Sequence, residues 1–172
     1  MNFDKSKSFP NIEEEVLQYW KNDNIFQKQN ELVQNGKLFK FYDGPPFATG
    51  LPHYGHLLAG TIKDVVCRYW ISKGYKIDRR FGWDCHGLPV ESEAQKDLNL
   101  NSVLDIQTYG IDKFNEYCRS LVLKYSKEWE STVSRSGRWV DFNNTYKTMD
   151  LNFMESVWNI FKTLSLQQSS FL

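Results

Sequence analysis

Two histidines stand three residues apart in the segment His53-Tyr54-Gly55-His56, at the start of a predicted helix. A helix N-terminus offers free N–H groups and the positive end of the helix dipole, which together favour phosphate. Glycine permits close approach of a base or a ribose, and imidazoles can donate hydrogen bonds to phosphate oxygens. The pattern GxxxxGK[ST] of phosphate-binding loops is absent from the sequence, so a nucleotide site of another kind is predicted. The alternative is that the histidines only cap the helix and fill space.

An acidic candidate, Asp84, lies in the loop 82–87 with the sequence GWDCHG. A carboxylate in a glycine-flanked loop after a strand can bind an ammonium group or a ribose hydroxyl. An ordinary turn aspartate is the alternative. The neighbouring cysteine and histidine are assigned structural roles, and Arg135 and Arg138 are interpreted as solvated surface residues rather than phosphate ligands.

Regular elements are predicted on both sides of these loops. Roughly alternating residues predict strands over 37–42 and 75–81. Apolar residues at helical spacing predict helices over 10–33 with an interruption at 22–24, and over 55–73, 88–98, 111–133 and 151–166. The connector 135–144 is predicted to be irregular. The predicted apolar face of the helix at 55–73 is formed by Leu58, Ile62, Val65, Val66 and Tyr69.

The order strand, helix, strand, helix is typical of a parallel βαβ unit, so the predicted fold class is α/β. Ligands of such sheets bind beyond the carboxyl ends of the strands. The loops 43–56 and 82–87 both follow predicted strands, and they are therefore expected to converge at one edge of the sheet.

Composition narrows the class of protein. Of the 172 residues, 21 are Lys or Arg and 21 are Asp or Glu, so the chain lacks the basic excess typical of nucleic-acid binding. The three cysteines have no CxxC spacing, which argues against a disulfide framework or a zinc site and favours a reducing compartment. No apolar run is long enough for a membrane span, and no secretory signal is expected.

Three segments carry a family resemblance: DGPPFATGLPHYGHLLAGTIKDVVCRYW, RRFGWDCHGLPVE and GRWVDFNNTYKTMDLNFMESVWNIFK. They resemble the isoleucyl-tRNA synthetases, class I aminoacyl-tRNA synthetases, in their cytosolic eukaryotic form. The resemblance covers residues 5–166 and implies an N-terminal fragment of such an enzyme, with a cytoplasmic location.

The resemblance implies a Rossmann-like core that activates L-isoleucine with ATP and Mg²⁺ and then transfers the acyl group to tRNA. It assigns His53 and His56 to catalysis and to binding of the ATP phosphates or ribose. It also implies that Gly55 allows the adenosine to lie close. It assigns Gly44 and Pro45 to the amino-acid site through their backbone groups, and Asp84 to the α-ammonium group.

The resemblance also implies a division of the chain into segments. We expect a helical extension at 1–34, the first half of the catalytic core at 35–100, a mainly helical continuation at 101–166 and a divergent tail at 167–172. The Lys-Met-Ser-Lys-Ser loop and the editing domain of the family are absent from this sequence, so the chain alone is predicted to be inactive. The alternative is a non-catalytic fragment that binds a nucleotide or a protein partner.

Overall fold

The computed structural model describes residues 6–168, so residues 1–5 of the predicted extension and 169–172 of the predicted tail lie outside the described residues. The elements follow in the order α1 (Phe9–Asn22), α2 (Ile25–Leu32), α3 (Tyr54–Ser72), β1 (Arg80–Trp83), α4 (Leu88–Leu98), α5 (Val103–Tyr109), α6 (Ile111–Leu121), α7 (Ser126–Arg135), β2 (Asp141–Lys147) and α8 (Leu151–Gln168). None of the helices between residues 6 and 168 combines the length and the apolar character that a membrane crossing requires.

The predicted interruption near residues 22–24 is confirmed. α1 begins with a proline in its first turn, where the missing N–H costs nothing, and it ends at Asn22. Asn24 has a φ of 50°, a left-handed conformation that asparagine tolerates better than most residues, and it separates α1 from α2.

The structure confirms an α/β fold, but it shifts the strands. β1 and β2 form a parallel pair. At one end of the pair the Asp141 N–H donates to Arg79 O at 2.6 Å, and at the other end the Thr148 N–H donates to Trp83 O at 3.0 Å. The predicted strand at 75–81 is therefore displaced toward its C-terminal end. The predicted irregular connector at 135–144 is partly wrong, because β2 begins within it at Asp141.

The prediction of a strand at 37–42 is wrong. This segment makes a single parallel bridge, between Leu38 and Lys76, in which the Phe39 N–H donates to Lys76 O at 2.9 Å. Its alternating aromatic residues pack on a buried cluster instead. Phe39 and Phe41 contact the core formed by Cys67, Ile71 and Ile77, together with Val33 and Trp70.

The predicted long helix at 111–133 is divided into α6 and α7. Residues 122–125 form a turn between the two helices, and the Tyr125 N–H donates to Ala48 O at 3.0 Å. This bond to another segment replaces an intrahelical bond. α4 at 88–98 matches its predicted bounds, and α8 contains the predicted 151–166.

The described chain divides into two compact units. Unit 1 comprises residues up to Asp43, together with Pro52–Arg80 and Lys127–Asp141. Unit 2 comprises Gly44–Leu51, Phe81–Ser126 and the chain from Phe142 onward.

Each unit has its own core. In unit 1 the Cys67–Ile71–Ile77 cluster lies beneath α3, and the buried Arg79 donates to Gln29 Oε1 at 3.1 Å and to Asn30 Oδ1 at 2.8 Å. In unit 2 the core is built from α4 and α6 by Ala94, Phe114 and Leu121. Each pair of elements thus buries an apolar stripe that neither could cover alone.

The predicted apolar face of α3 is exposed. Its five residues have between 41% and 64% of their surface accessible, whereas the buried residues of α3 are Gly60, Cys67 and Ile71. Helical spacing identifies an apolar stripe, but the neighbouring segments determine which side of the helix is covered. In α3 they cover the side that carries Gly60, Cys67 and Ile71.

Candidate active site

The two candidate histidines form a capping box at the start of α3 in unit 1. His53 is the N-cap residue, and its Nδ1 accepts a hydrogen bond from the Gly55 N–H at 3.1 Å. His56 Nδ1 accepts in turn from the His53 N–H at 3.2 Å. The rings stack with their centroids 3.6 Å apart. The helix-capping role that was the alternative for these residues is therefore present in the structure.

This geometry assigns the tautomer of each neutral ring. Because Nδ1 accepts a hydrogen bond in both histidines, the proton of each neutral ring resides on Nε2. The Nε2–H group is then the hydrogen-bond donor of the ring. Capping thus leaves two parallel imidazole donors at a helix N-terminus, which is compatible with an anionic ligand.

His56 is half-buried, and its surroundings disfavour the charged form of the ring. Burial, then the His53 ring, then the Lys63 ammonium lower the pKa of His56 from its ordinary value of 6.5. The ring also lies 4.7 Å from that of Trp129, centroid to centroid. These contacts hold His56 in one orientation and in its uncharged form.

Gly55 lies between the two histidines, and a side chain there would crowd the cap. A Cβ atom on Gly55 would lie 3.0 Å from Cε1 and 3.1 Å from Nδ1 of His53. That is tighter than ordinary van der Waals contact. Glycine at this position therefore permits the cap itself, in addition to any approach of a ligand.

Asp84 lies beside the 44–47 segment in unit 2. The Asp84 N–H donates to Pro46 O at 2.8 Å, and Phe47 and Asp84 form a parallel bridge. The expected convergence of the two loops is confirmed for these residues. Gly44 and Pro45 directly precede Pro46. The segment assigned to the amino acid and the carboxylate assigned to its ammonium group therefore belong to one unit.

Thr148 orients the Asp84 side chain, and sequence reasoning missed it. The Thr148 hydroxyl donates to Asp84 Oδ1 at 3.4 Å and accepts from the Cys85 N–H at 2.8 Å. Thr148 follows β2 directly, and the strand pairing with β1 places it next to Asp84. Its position after a strand would have been a signal, had β2 been predicted.

The surface assignment of Arg138 is wrong. Its side chain is only 9% exposed, and it forms an ion pair with the buried Asp43. Arg135 is a surface residue as predicted, paired with Glu13 at 3.0 Å. Among residues 6–168, no three His, Cys, Asp or Glu side chains are grouped so that they could hold a metal ion.

Comparison with known proteins adds sequence relationships to this geometry. A family model described as "tRNA synthetases class I (I, L, M and V)" matches residues 15–169. The chain is 58% identical over 160 residues to the probable cytoplasmic isoleucine–tRNA ligase of Encephalitozoon cuniculi (strain GB-M1), covering 93% of this chain and 16% of that protein. It is 59% identical over 167 residues to the isoleucine–tRNA ligase of Chlamydia muridarum, covering 97% and 16% respectively.

A plant relative and a solved structure agree with these matches. The cytoplasmic isoleucine–tRNA ligase of Arabidopsis thaliana is 56% identical over 160 residues, covering 93% of this chain and 13% of that protein. The Agrobacterium radiobacter K84 LeuRS, in its ternary complex with tRNA and LeuAMS, aligns with a TM-score of 0.55 at 22% identity, covering 91% of this chain and 17% of that chain. That likeness shows the fold. The chain spans 13% to 16% of the length of the three curated relatives described.

Proposed function

Because the chain belongs to the class I tRNA synthetases for isoleucine, leucine, methionine and valine, we propose that it is part of an isoleucine–tRNA ligase. The observation that carries the proposal is the identity of 56% to 59% with three isoleucine–tRNA ligases over most of the chain. The proposed reaction transfers the adenylyl group of ATP to the carboxylate of L-isoleucine, with release of pyrophosphate, and then passes the acyl group to tRNA with release of AMP. A cytoplasmic location is part of the proposal, supported by the names of two relatives.

The histidine cap supplies the proposed nucleotide site. The carboxylate of the amino acid is already a nucleophile, so the first step requires no protein base and depends on positioning and on stabilisation of charge. We assign the Nε2–H donors of His53 and His56 to the phosphates or ribose of ATP. The N-terminus of α3 adds its positive dipole end, and Gly55 lies where the adenosine would approach.

Unit 2 supplies the proposed amino-acid site. The Asp84 carboxylate is assigned to the α-ammonium group of isoleucine, and the Thr148 hydroxyl holds that carboxylate in its orientation. Backbone groups of Gly44 and Pro45 are assigned to the same ligand. Mg²⁺ would supply further charge stabilisation when it binds with ATP.

Binding of a non-hydrolysable isoleucyl-adenylate analogue to the 172-residue chain tests both assignments. We expect calorimetry to detect binding, and we expect Asp84→Asn to weaken the analogue much more than it weakens ATP. The leucyl analogue serves as the matched control for the side chain. Equal losses for the analogue and for ATP would contradict the ammonium role of Asp84.

A non-catalytic nucleotide- or partner-binding fragment is the alternative, and exchange of pyrophosphate into ATP distinguishes the two. Isoleucine-dependent exchange by the chain would show catalysis directly. Nucleotide binding without exchange is expected of the chain alone under both hypotheses, and preference for the isoleucyl-adenylate analogue over the leucyl one then favours the ligase fragment. The substitutions His53→Ala and His56→Ala should weaken ATP in either case, because the nucleotide site is common to both.

A further inference from the structure

A buried carboxylate in unit 1 holds two cations. The Asp43 side chain is fully buried, with Lys63 Nζ 2.7 Å from Oδ1 and Arg138 Nη2 3.1 Å from Oδ2. Lys63 belongs to α3, and Arg138 belongs to the connector between α7 and β2. We call these three residues the Asp43 cluster. None of them has a role in the reaction proposed above.

The cluster lies on the face of α3 that carries His56. His56, Gly60, Lys63 and Cys67 follow one another at intervals of four, three and four residues, so they share one side of the helix. A Cβ atom on Gly60 would lie 3.6 Å from both Cδ and Nη1 of Arg138. The arginine side chain therefore packs against α3 one turn beyond the histidine.

The first half of α3 has little apolar attachment within unit 1. Its buried residue is Gly60, while Cys67 and Ile71 bury the second half. Leu58 and Ile62, on the other side of the first half, are more than half exposed. Besides the contact of the His56 ring with Trp129, polar contacts hold the histidine end of the helix, and among them the ion pairs of Asp43 involve a fully buried carboxylate.

The connector that carries Arg138 is fixed to α3 independently. The Trp139 N–H donates to Asp64 Oδ1 at 3.0 Å, and Arg68 donates to Gly137 O at 2.6 Å. The Arg68 guanidinium also lies 4.0 Å from the centre of the Trp139 ring. Arg138 is thus a firmly anchored partner for Asp43.

We propose that Asp43 is a positioning residue that clamps Lys63 and Arg138 and so fixes the histidine end of α3. The inference rests on the proposed function, because the part that is positioned is the proposed ATP site. One carboxylate and two cations leave the cluster with one net positive charge, which favours an anion near the helix start. Lys63 is also among the groups that lower the pKa of His56, in keeping with its place on that face.

Charge and position predict opposite results for Asp43→Asn. The substitution removes a negative charge, so charge alone would tighten ATP binding. The clamp predicts weaker binding, by about tenfold or more, because misplacement of a binding group on the ångström scale has large effects. The single variant also leaves two cations near each other in the interior, which destabilises the fold, so two balanced variants carry the test.

The double variant Asp43→Asn/Arg138→Gln keeps the net charge of the cluster at one positive unit while removing the clamp. Lys63→Met removes the tie to α3 and leaves the Asp43–Arg138 pair balanced. Lys73→Met, at the other end of the same helix, is the matched control for loss of a lysine charge. All three are measured in the 172-residue chain.

The readout is the histidine cap itself, which needs no ligand. The chain has only three histidines, so ¹⁵N ring signals can be assigned by comparison with His53→Gln and His56→Gln. We expect both clamp variants to lose the Nδ1-acceptor signature of His53 and His56, to exchange the Gly55 amide faster and to bind ATP at least several-fold more weakly. The His86 signals and those of Lys73→Met should match the wild type.

Wild-type cap signals and ATP affinity in the double variant and in Lys63→Met would overturn the clamp. Loss of the cap signals overturns it too if Lys73→Met shows the same loss, because general loosening of the helix would then explain both. Failure of the wild-type chain to bind ATP would instead contradict the proposed function, since the cap signals are read without nucleotide.

Discussion

The two histidines at the start of α3 cap the helix and still keep a ring atom available for a ligand. Each ring satisfies a backbone N–H through Nδ1 and retains its donor at Nε2. A serine or aspartate would cap the helix as well, but it would not place two flat donors side by side. Capping through Nδ1 and phosphate binding through Nε2 are therefore compatible uses of the same rings, and the two alternatives posed by the sequence do not exclude each other.

This arrangement predicts pH-dependent stability. The pKa of His56 is lower in the folded chain than its ordinary value of 6.5, because burial and positive neighbours disfavour the imidazolium. As the pH falls, the unfolded chain therefore takes up the proton on His56 at a higher pH than the folded chain does. The contribution of His56 to the free energy of unfolding should be fully present above pH 6.5. This contribution should decrease as the pH drops from 6.5 toward the pKa of His56 in the folded chain.

Urea unfolding between pH 5 and 7.5 measures the effect. His56→Gln should flatten the pH dependence in this window, whereas His86→Gln should leave that contribution in place. An identical slope in the wild type and in His56→Gln would show that the cap does not titrate as described.

A second prediction at the residue scale concerns the hydroxyl of Thr148. Thr148→Val keeps the shape of the side chain but removes the donor to Asp84 Oδ1 and the acceptor for the Cys85 N–H. Loss of these bonds should cost about 1–3 kcal/mol of stability and should weaken the isoleucyl-adenylate analogue. Thr148→Ser is the control that retains the hydroxyl. Unchanged affinity in Thr148→Val would mean that Asp84 is oriented without it.

At the scale of elements, two glycines that look alike in the sequence have opposite environments. A Cβ atom on Gly60 of α3 would meet Arg138 at 3.6 Å, an ordinary contact, whereas one on Gly82 of β1 would overlap the ring of Tyr146. Gly60→Ala should raise the free energy of unfolding by about 0.5–1 kcal/mol through helix propensity. Gly82→Ala should lower it by about 1–3 kcal/mol through overpacking.

Chemical denaturation of both alanine variants checks this pair. The double variant Gly82→Ala/Tyr146→Leu is the control, because a smaller residue at 146 makes room for the new methyl group. If Gly82→Ala is as stable as the wild type, the close approach of β1 and Tyr146 is not a constraint.

Local patterns predicted the helices better than the strands. α4 and the break between α1 and α2 follow from caps, proline and helical spacing, which are properties of neighbouring residues. β2 contains Asn143 and Asn144, which are typical of loops, and it forms because it pairs with β1 about sixty residues earlier. Such pairing is not visible in a local window.

The candidate site shows the same division. His53, Gly55, His56 and Asp84 are predicted site residues because their residue types and loop positions indicate chemistry. Asp43 contacts Lys63 and Arg138, and Thr148 contacts Asp84, across long sequence separations that no spacing rule reveals. The assignment of Arg138 to the surface failed for this reason, since an arginine shows its burial only through its partner.

At the scale of the whole molecule, much apolar surface is accessible. Besides the face of α3, α8 exposes Val157, Trp158, Ile160, Phe161 and Leu164, each to between 51% and 68%. Folded monomers seldom show contiguous apolar patches of this kind without a binding role. The relatives described are several times longer than this chain, which spans 13% to 16% of their length. Burial within the described residues therefore leaves two helices incompletely covered.

These surfaces predict that the folded chain binds the dye ANS. Replacing Val157, Ile160 and Phe161 together by Gln should reduce the ANS signal, because these side chains supply exposed apolar area on α8. Since they are more than half exposed, each change should alter the free energy of unfolding by no more than about 0.5 kcal/mol. Phe114→Leu, in the buried core of unit 2, is the contrasting control: it should lower stability and leave the ANS signal of the folded state unchanged. If the triple variant binds as much ANS as the wild type, these three side chains do not supply the dye site, and the signal comes from other exposed apolar surface such as the face of α3.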